Sequence, residues 1–242
     1  MRVTFFVFTG GMLKKYKLPI ITVLAVLFID QCIKLYIKSH YPIGEVTRVC
    51  GDWFRITFTE NPGMAFGLEF GGIYGKLALS LFRILAVFAG LFYITKIVKD
   101  KEHKGFIICV SLIVAGALGN ILDSAFYGLI FDRGGSVYDP VFREANPYHG
   151  VAEFSSAGYT GFLQGHVVDM FYFPIYDGKF PEWMPIWGGE PFQFFSAIFN
   201  FADMAISFGV GIILVFQKKF FAPKKAEEPV TAENNNTETP VS

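Results

Sequence analysis

Four stretches of mostly apolar residues, each about as long as an α-helix that crosses a bilayer, set the terms for anything this chain can fold into. With a window of about 19 residues they fall at 18–37, 76–97, 105–127 and 194–216. The composition agrees: of 242 residues, 52% are hydrophobic and only 17% charged, and mean hydropathy is +0.42. That is too apolar for an ordinary soluble domain. The expected fold class is an all-α membrane protein with four transmembrane helices, a small β element in the first extracytoplasmic loop and a long second extracytoplasmic loop.

Where the basic residues fall sets the orientation. Lys14, Lys15 and Lys17 precede the first span, Lys96, Lys99, Lys101 and Lys104 crowd the loop between the second and third, and Lys218, Lys219, Lys224 and Lys225 follow the fourth. All three clusters lie on one side, which the positive-inside rule makes cytoplasmic. Both termini are then cytoplasmic, and the 38–75 and 128–193 connections are extracytoplasmic. These connections carry Trp53, Trp183 and Trp187, aromatics suited to the headgroup layer. Residues 1–17 read as a cytoplasmic segment, in which Met12 is a second candidate start, and 218–242 as a disordered cytoplasmic tail rich in Glu, Asn, Thr and Pro. Formal net charge is zero, so nothing points to a nucleic-acid partner. Cys32, Cys50 and Cys109 form no even framework and are read as free thiols.

In the first loop, Trp53, Arg55, Thr57 and Thr59 alternate with Phe54, Ile56 and Phe58, a period of two that predicts a short strand or hairpin on the membrane surface. Asn61-Pro62-Gly63 then breaks it with a turn that presents Asn61 at the mouth of the bundle.

An ionisable residue inside a span costs about 2.5 to 3.5 kcal/mol at mid-helix, so each needs a reason. Asp30 and Lys34 are four apart on the first span and share a face. They are either a self-neutralising pair or supports of a site. On the third span Asn120 and Asp123 share a face beside a run of small residues, and serve as bundle glue or as site supports. Asp203 lies roughly two to three turns into the fourth apolar stretch, too deep to snorkel, and Asp169 sits alone in an apolar, aromatic run on the outer side. Two such carboxylates at one depth are poor candidates for accidental surface charge. Arg83, on the second span, either snorkels or balances these acids.

These pieces, in this order, resemble the lipoprotein signal peptidases. Asp30 to Lys34 matches D-x-x-x-K, Asn61-Pro62-Gly63-Met64-Ala65-Phe66 matches N-x-G-x-A-F, and Gly119-Asn120 to Asp123 matches G-N-x-x-D. Val167-Val168-Asp169 matches V-V-D, and Phe199-Asn200-Phe201-Ala202-Asp203 matches F-N-x-A-D. The resemblance covers 18 to about 217. It implies an intramembrane aspartyl endopeptidase with Asp169 and Asp203 as the catalytic dyad, and with Asp30, Lys34, Asn61, Gly63, Asn120, Asp123, Asn200 and Arg83 as substrate-binding or supporting residues. The implied substrate is a diacylglyceryl-modified prolipoprotein, cut on the amino side of its lipidated cysteine. The implied setting is the bacterial cytoplasmic (inner) membrane, with membrane lipid around a monomer and the active site near the outer leaflet. No cofactor or metal is expected, since neither H-E-x-x-H nor clustered His and Cys ligands occur.

Two departures stand out. The position after Asp123, usually Arg in the family, is Ser124, for which Arg83 and Arg133 are candidate replacements. The segment from about 128 to 165 is longer than the family's minimal connection and reads as an extracytoplasmic insertion, a candidate lid. A proton-coupled transporter would also place charges in spans, but it would show paired repeats with broken helices, and none is visible.

Overall fold

The computed structural model describes residues 10–62, 72–135, 148–194 and 197–222. Gly63 and the rest of the turn up to Gly67 lie outside the described residues, as do Met1 and the tail from 223. Helices α1 (Gly10–His40), α2 (Gly72–Lys99) and α3 (Lys104–Leu122) come first. α3 runs on through a π-helical turn at Asp123–Tyr127 into the single turn α4 (Gly128–Ile130), and α5 (Phe201–Phe220) closes the bundle. Four of these helical rods are long and apolar enough to cross a membrane: Lys14–His40, Gly75–Lys99, Lys104–Ile130 and Phe201–Phe220. The all-α membrane class follows from them.

α3 is the central helix and packs against α5, α1 and α2. Two glycines permit this. A Cβ at Gly116 would lie 2.2 Å from the Ala202 carbonyl oxygen, and one at Gly119 would lie 2.8 Å from Asp30 Oδ2. Small residues let backbones meet in lipid, where packing and hydrogen bonds replace the hydrophobic drive between helices. Here they admit the first turn of α5 and the Asp30 carboxylate to the surface of α3.

The fourth helix corrects the sequence reading. It begins at Phe201 rather than 194, because the apolar residues before it are spent on strands. Asp203 is accordingly in the first helical turn, not two to three turns deep. Asn200 caps the helix, accepting a hydrogen bond from Asp203 N at 3.0 Å, while Asp203 Oδ2 reaches back to Asn200 N at 3.4 Å, a reciprocal capping box.

The β element is also larger than expected. β1 (Val46–Cys50) and β2 (Phe54–Asn61) form the hairpin that the period of two predicts. The second long connection adds β3 (Val167–Tyr172), a separate hairpin of β4 (Tyr176–Lys179) and β5 (Pro191–Phe194), and the short β6 (Ile198–Phe199). One antiparallel sheet results, in the order β1-β2-β3-β6, with Thr59 opposite Asp169 and Asn61 opposite Val167. Directly opposed residues share a face, so Thr59, Asn61 and Asp169 lie on one side. On the other, Phe58, Val168 and Met170 join Ile37, Tyr127, Phe131 and Ala152 in a core.

That core ties the described part of the insertion, the candidate lid, to the bundle. Phe131 bridges to Phe154, Asp132 N donates to the Glu153 carbonyl at 2.9 Å, and Gly165 N donates to the Ser124 carbonyl at 2.8 Å. Through Phe131 and Ala152 the insertion's described residues complete a core with α1 and the sheet. Residues 136–147 within it lie outside the described residues.

Candidate active site

Two backbone elements deliver the candidate dyad. Asp169 comes from the middle of β3 and is buried, and Asp203 from the first turn of α5 is half-buried. Asn200 joins them: its Nδ2 donates to Asp169 Oδ1 at 2.6 Å, and its Oδ1 accepts from Asp203 N. Asn120 forms a second bridge, donating to Asp203 Oδ1 at 2.8 Å and accepting from Asn200 Nδ2 at 3.1 Å. Both asparagines thus hold the carboxylates through short, planar side chains with few rotamers to lose.

Behind them lies the charged layer. Lys34 Nζ sits 3.0 Å from Asp30 and 2.8 Å from Asp123, and donates to Asn120 Oδ1 at 2.9 Å, with all three ionic groups fully buried. The carboxylates also grip backbone. Asp30 Oδ1 accepts from Ala202 N at 2.9 Å, one of the free amides at the start of α5, and Asp123 Oδ2 accepts from Val168 N at 3.3 Å, next to Asp169. Between the two readings left open for these residues, site support is the one the contacts favour. Each acid holds one of the elements that carry the dyad, and Lys34 neutralises both.

Burial first, and then the negative charge of Asp203, push the Asp169 carboxyl up from 3.8 to about 8, against the opposing pull of Lys34 and Asn200. Asp203 opens onto a cavity of about 570 Å³ lined also by Phe173, Phe199, Met204, Ser207 and Phe208. The cavity is apolar except at Asp203 and Ser207. A buried, protonated carboxyl beside a more open one is an arrangement that can supply a proton and activate a water at the same bond.

Arg83 is half-buried on α2, and the charges that act on it most are those of Asp203, Asp169 and Asp123. Arg133 does not replace the missing arginine. Its guanidinium is bound to Asp132 and, at 2.8 Å, to the His149 carbonyl. Ser124 turns its hydroxyl back to the Asn120 carbonyl at 3.0 Å and lends its own carbonyl to Gly165. The π-helical turn beginning at Asp123 thus frees carbonyls that bind the insertion.

Sequence reasoning missed two parts of the site. Gln31 donates to Asp123 Oδ1 at 2.8 Å and to Asp30 Oδ2 at 3.1 Å, and accepts from Tyr127 Oη at 3.2 Å. A second buried ion pair joins Lys38 to Glu60, which also accepts from Gly135 N at 3.0 Å and Tyr148 Oη at 3.2 Å, with His166 Nδ1 3.3 Å away. The clue was present: Asp30, Lys34 and Lys38 are spaced by four along one face of α1.

Known proteins resemble this chain in sequence and in fold. A sequence model of the signal peptidase (SPase) II family matches residues 22–219. The lipoprotein signal peptidase of Porphyromonas gingivalis is 45% identical over 194 residues, spanning 80% of this chain and 79% of that protein. The lipoprotein signal peptidase of Amoebophilus asiaticus is 33% identical over 205 residues, spanning 84% and 78%. Among solved structures, a bacterial membrane enzyme determined at 2.3 Å has the same fold with a TM-score of 0.52, at 23% identity over 91% of this chain and 96% of its own. The chain therefore belongs to the signal peptidase II family, multi-pass bacterial membrane peptidases that remove signal peptides from lipoproteins.

Proposed function

We propose that this enzyme is an aspartyl endopeptidase that cuts diacylglyceryl-modified prolipoproteins on the amino side of the lipidated cysteine. The observation that carries the proposal is the joining of Asp169 and Asp203, from distant parts of the chain, through Asn200 and Asn120 at one end of the bundle. Asp203, open to the cavity, takes a proton from water as it attacks the scissile carbonyl. Asp169, the buried member, donates to the carbonyl oxygen, and the proton held by Asp203 then goes to the leaving nitrogen. Like charges held close cannot both ionise, so the pair titrates as a unit. The aromatic and aliphatic walls beside Asp203 suit an acyl chain arriving from the bilayer. One chain supplies every group, consistent with a monomer.

The test is incubation of the purified enzyme with a precursor peptide carrying the diacylglyceryl thioether, alongside the same peptide unmodified. Mass spectrometry should find one cut, before the modified cysteine, in the first peptide only. Equal cleavage of both peptides, or a cut elsewhere, overturns the substrate assignment.

A pH profile follows from the division of labour. Turnover should decline by about tenfold per unit as pH rises above about 8, where Asp169 loses its proton. Rates measured from pH 7 to 10 check this, and a flat profile contradicts a protonated Asp169.

For orientation, the three lysine clusters support cytoplasmic termini and a dyad near the outer leaflet. Reporter fusions after residue 100 and at the C-terminus should read cytoplasmic, and one at 140 extracytoplasmic. The opposite reading at 140 would put the dyad on the wrong side for exported precursors.

A further inference from the structure

The β4–β5 hairpin is unused by the mechanism, yet its surface is unlike that of a water-exposed loop. Its sheet contains no other strand. Around the tip, Trp183 is 79% exposed, Ile186 77% and Trp187 54%, and at the root Ile175 is 64% exposed. Those values match Phe28 at 71%, Phe92 at 73% and Val215 at 74%, which face outward on the apolar helices α1, α2 and α5. A two-stranded hairpin is marginal in water even with its apolar groups covered, and this one presents its largest ones outward.

We propose that the β4–β5 hairpin is a membrane-surface anchor, its tip seated through Trp183, Ile186 and Trp187 in the headgroup layer of the leaflet nearest the dyad. Its location follows from the chain path. β3 leads into the hairpin, and β6 leads out of it directly to Asn200, the cap of the membrane-crossing α5. β3 and β6 pair at Phe171–Phe199 and Tyr172–Ile198, and Phe173 stacks on Phe199 with ring centroids 5.7 Å apart. The root is therefore fixed at the end of a span, beside the cavity that Phe173 and Phe199 line.

The tip is built to enter an interface. Part of its backbone is paired internally: Phe180 N donates to the Glu190 carbonyl at 2.9 Å, Gly189 N to the Phe180 carbonyl at 3.0 Å, and Gly188 N to the Met184 carbonyl at 3.1 Å. Unsatisfied amides are what lipid penalises most. Gly188 makes the fold of the tip possible, since a Cβ there would lie 2.6 Å from the Glu182 carbonyl oxygen. Phe180 supports it from within, with ring centroids 4.8 Å from Phe192 and 6.0 Å from Trp187. Exposed Lys179, Glu182 and Glu190 set the depth: they keep the hairpin out of the hydrocarbon, while tryptophan favours the boundary. A lipid surface is the occupant these features fit, because the tip is tryptophan-rich and tethered at the end of a membrane-crossing helix.

This inference needs only membrane insertion and not the peptidase reading, and its test uses no activity. The chain has three tryptophans. Full-length protein carrying Trp53→Phe with Trp187→Phe, or Trp53→Phe with Trp183→Phe, leaves one tip tryptophan to report. Each is reconstituted at low protein density in phosphatidylcholine vesicles, with and without brominated acyl chains. The expected result is a blue-shifted emission, lost in brominated vesicles and nearly unaffected by iodide. Emission at the wavelength of a water-exposed indole, quenched by iodide and indifferent to bromolipid, overturns the proposal. So does emission shielded from both quenchers, which would mean that a second copy or the protein's own body covers the tip. Phe keeps the ring contacts at each site, and the unsubstituted protein gives a second reading. If bromolipid quenches less than a third of its emission, as when Trp53 alone meets lipid, the anchor is absent.

Discussion

Asp169→Asn and Asp203→Asn should each lower precursor cleavage by more than about 10²-fold, the least expected when an acid–base group is removed, while the protein still inserts and melts near the wild type. Asn at 169 keeps an oxygen to accept the Asn200 Nδ2 bond, and Asn at 203 keeps one for Asn120 Nδ2. The main contacts persist, except that the amide at 203 cannot also accept from Asn200 N; what is lost is the proton donor at 169 and the proton acceptor at 203. Stability separates the two variants further. The folded Asp169 carboxyl holds its proton up to about 8, whereas an unperturbed one releases it near 3.8. Between those values the folded state binds more protons, so stability falls as pH rises through that window. Asp169→Asn removes this dependence and should melt at or above the wild type at pH 8. Asp203→Asn loses a charged residue from the first turn of α5, which costs at most about 1 kcal/mol. Cleavage assays and detergent melts on the same preparations decide the matter, and either variant keeping more than about a hundredth of wild-type turnover would remove that residue from the dyad.

What could be read from the sequence was local. A spacing of four put Asp30 beside Lys34, a spacing of three put Asn120 beside Asp123, and the period of two found β2. Hydropathy counted four spans but could not tell an apolar strand from the start of a helix, so it ran the fourth span back over β6. The capping signature of Asn200 with Asp203 three residues on was present and marks the true start. The pairing of β2 with β3 was out of reach, since it joins residues about 110 apart in sequence and its register depends on the core that Phe58, Val168 and Met170 share. The pairing of β3 with β6 and the Asn200 bridge, which bring Asp169 to Asp203, were equally out of reach. Arg133 was nominated by residue type alone, and its partners Asp132 and His149 lie within the insertion. Lys38 and Glu60 stood out less, since Lys38 falls just past the first apolar stretch and Glu60 in the alternating loop, 22 residues on.

Lys34→Met should be the most destabilising single change in the charged layer, at about 3 to 5 kcal/mol, the range for leaving a buried charge without its partner. The methionine fills much the same volume, so packing is not the issue. Asp30 and Asp123 lose the ammonium that stands 3.0 and 2.8 Å from them, and Asn120 Oδ1 loses a donor. No water reaches either carboxylate, since both are fully buried. They must then take up protons or turn toward solvent, and turning releases Ala202 N on α5 and Val168 N on β3. The elements that carry Asp203 and Asp169 loosen together, so activity should fall along with the melting midpoint. Asp30→Asn/Lys34→Met/Asp123→Asn removes the three charges at once and should recover much of the lost stability, because an amide oxygen still accepts from each backbone N–H. A detergent melt of the two proteins beside the wild type reads the difference. If Lys34→Met melts with the wild type, the ion pairs contribute nothing to holding α5 and β3, and the supporting role given to Asp30 and Asp123 fails with them.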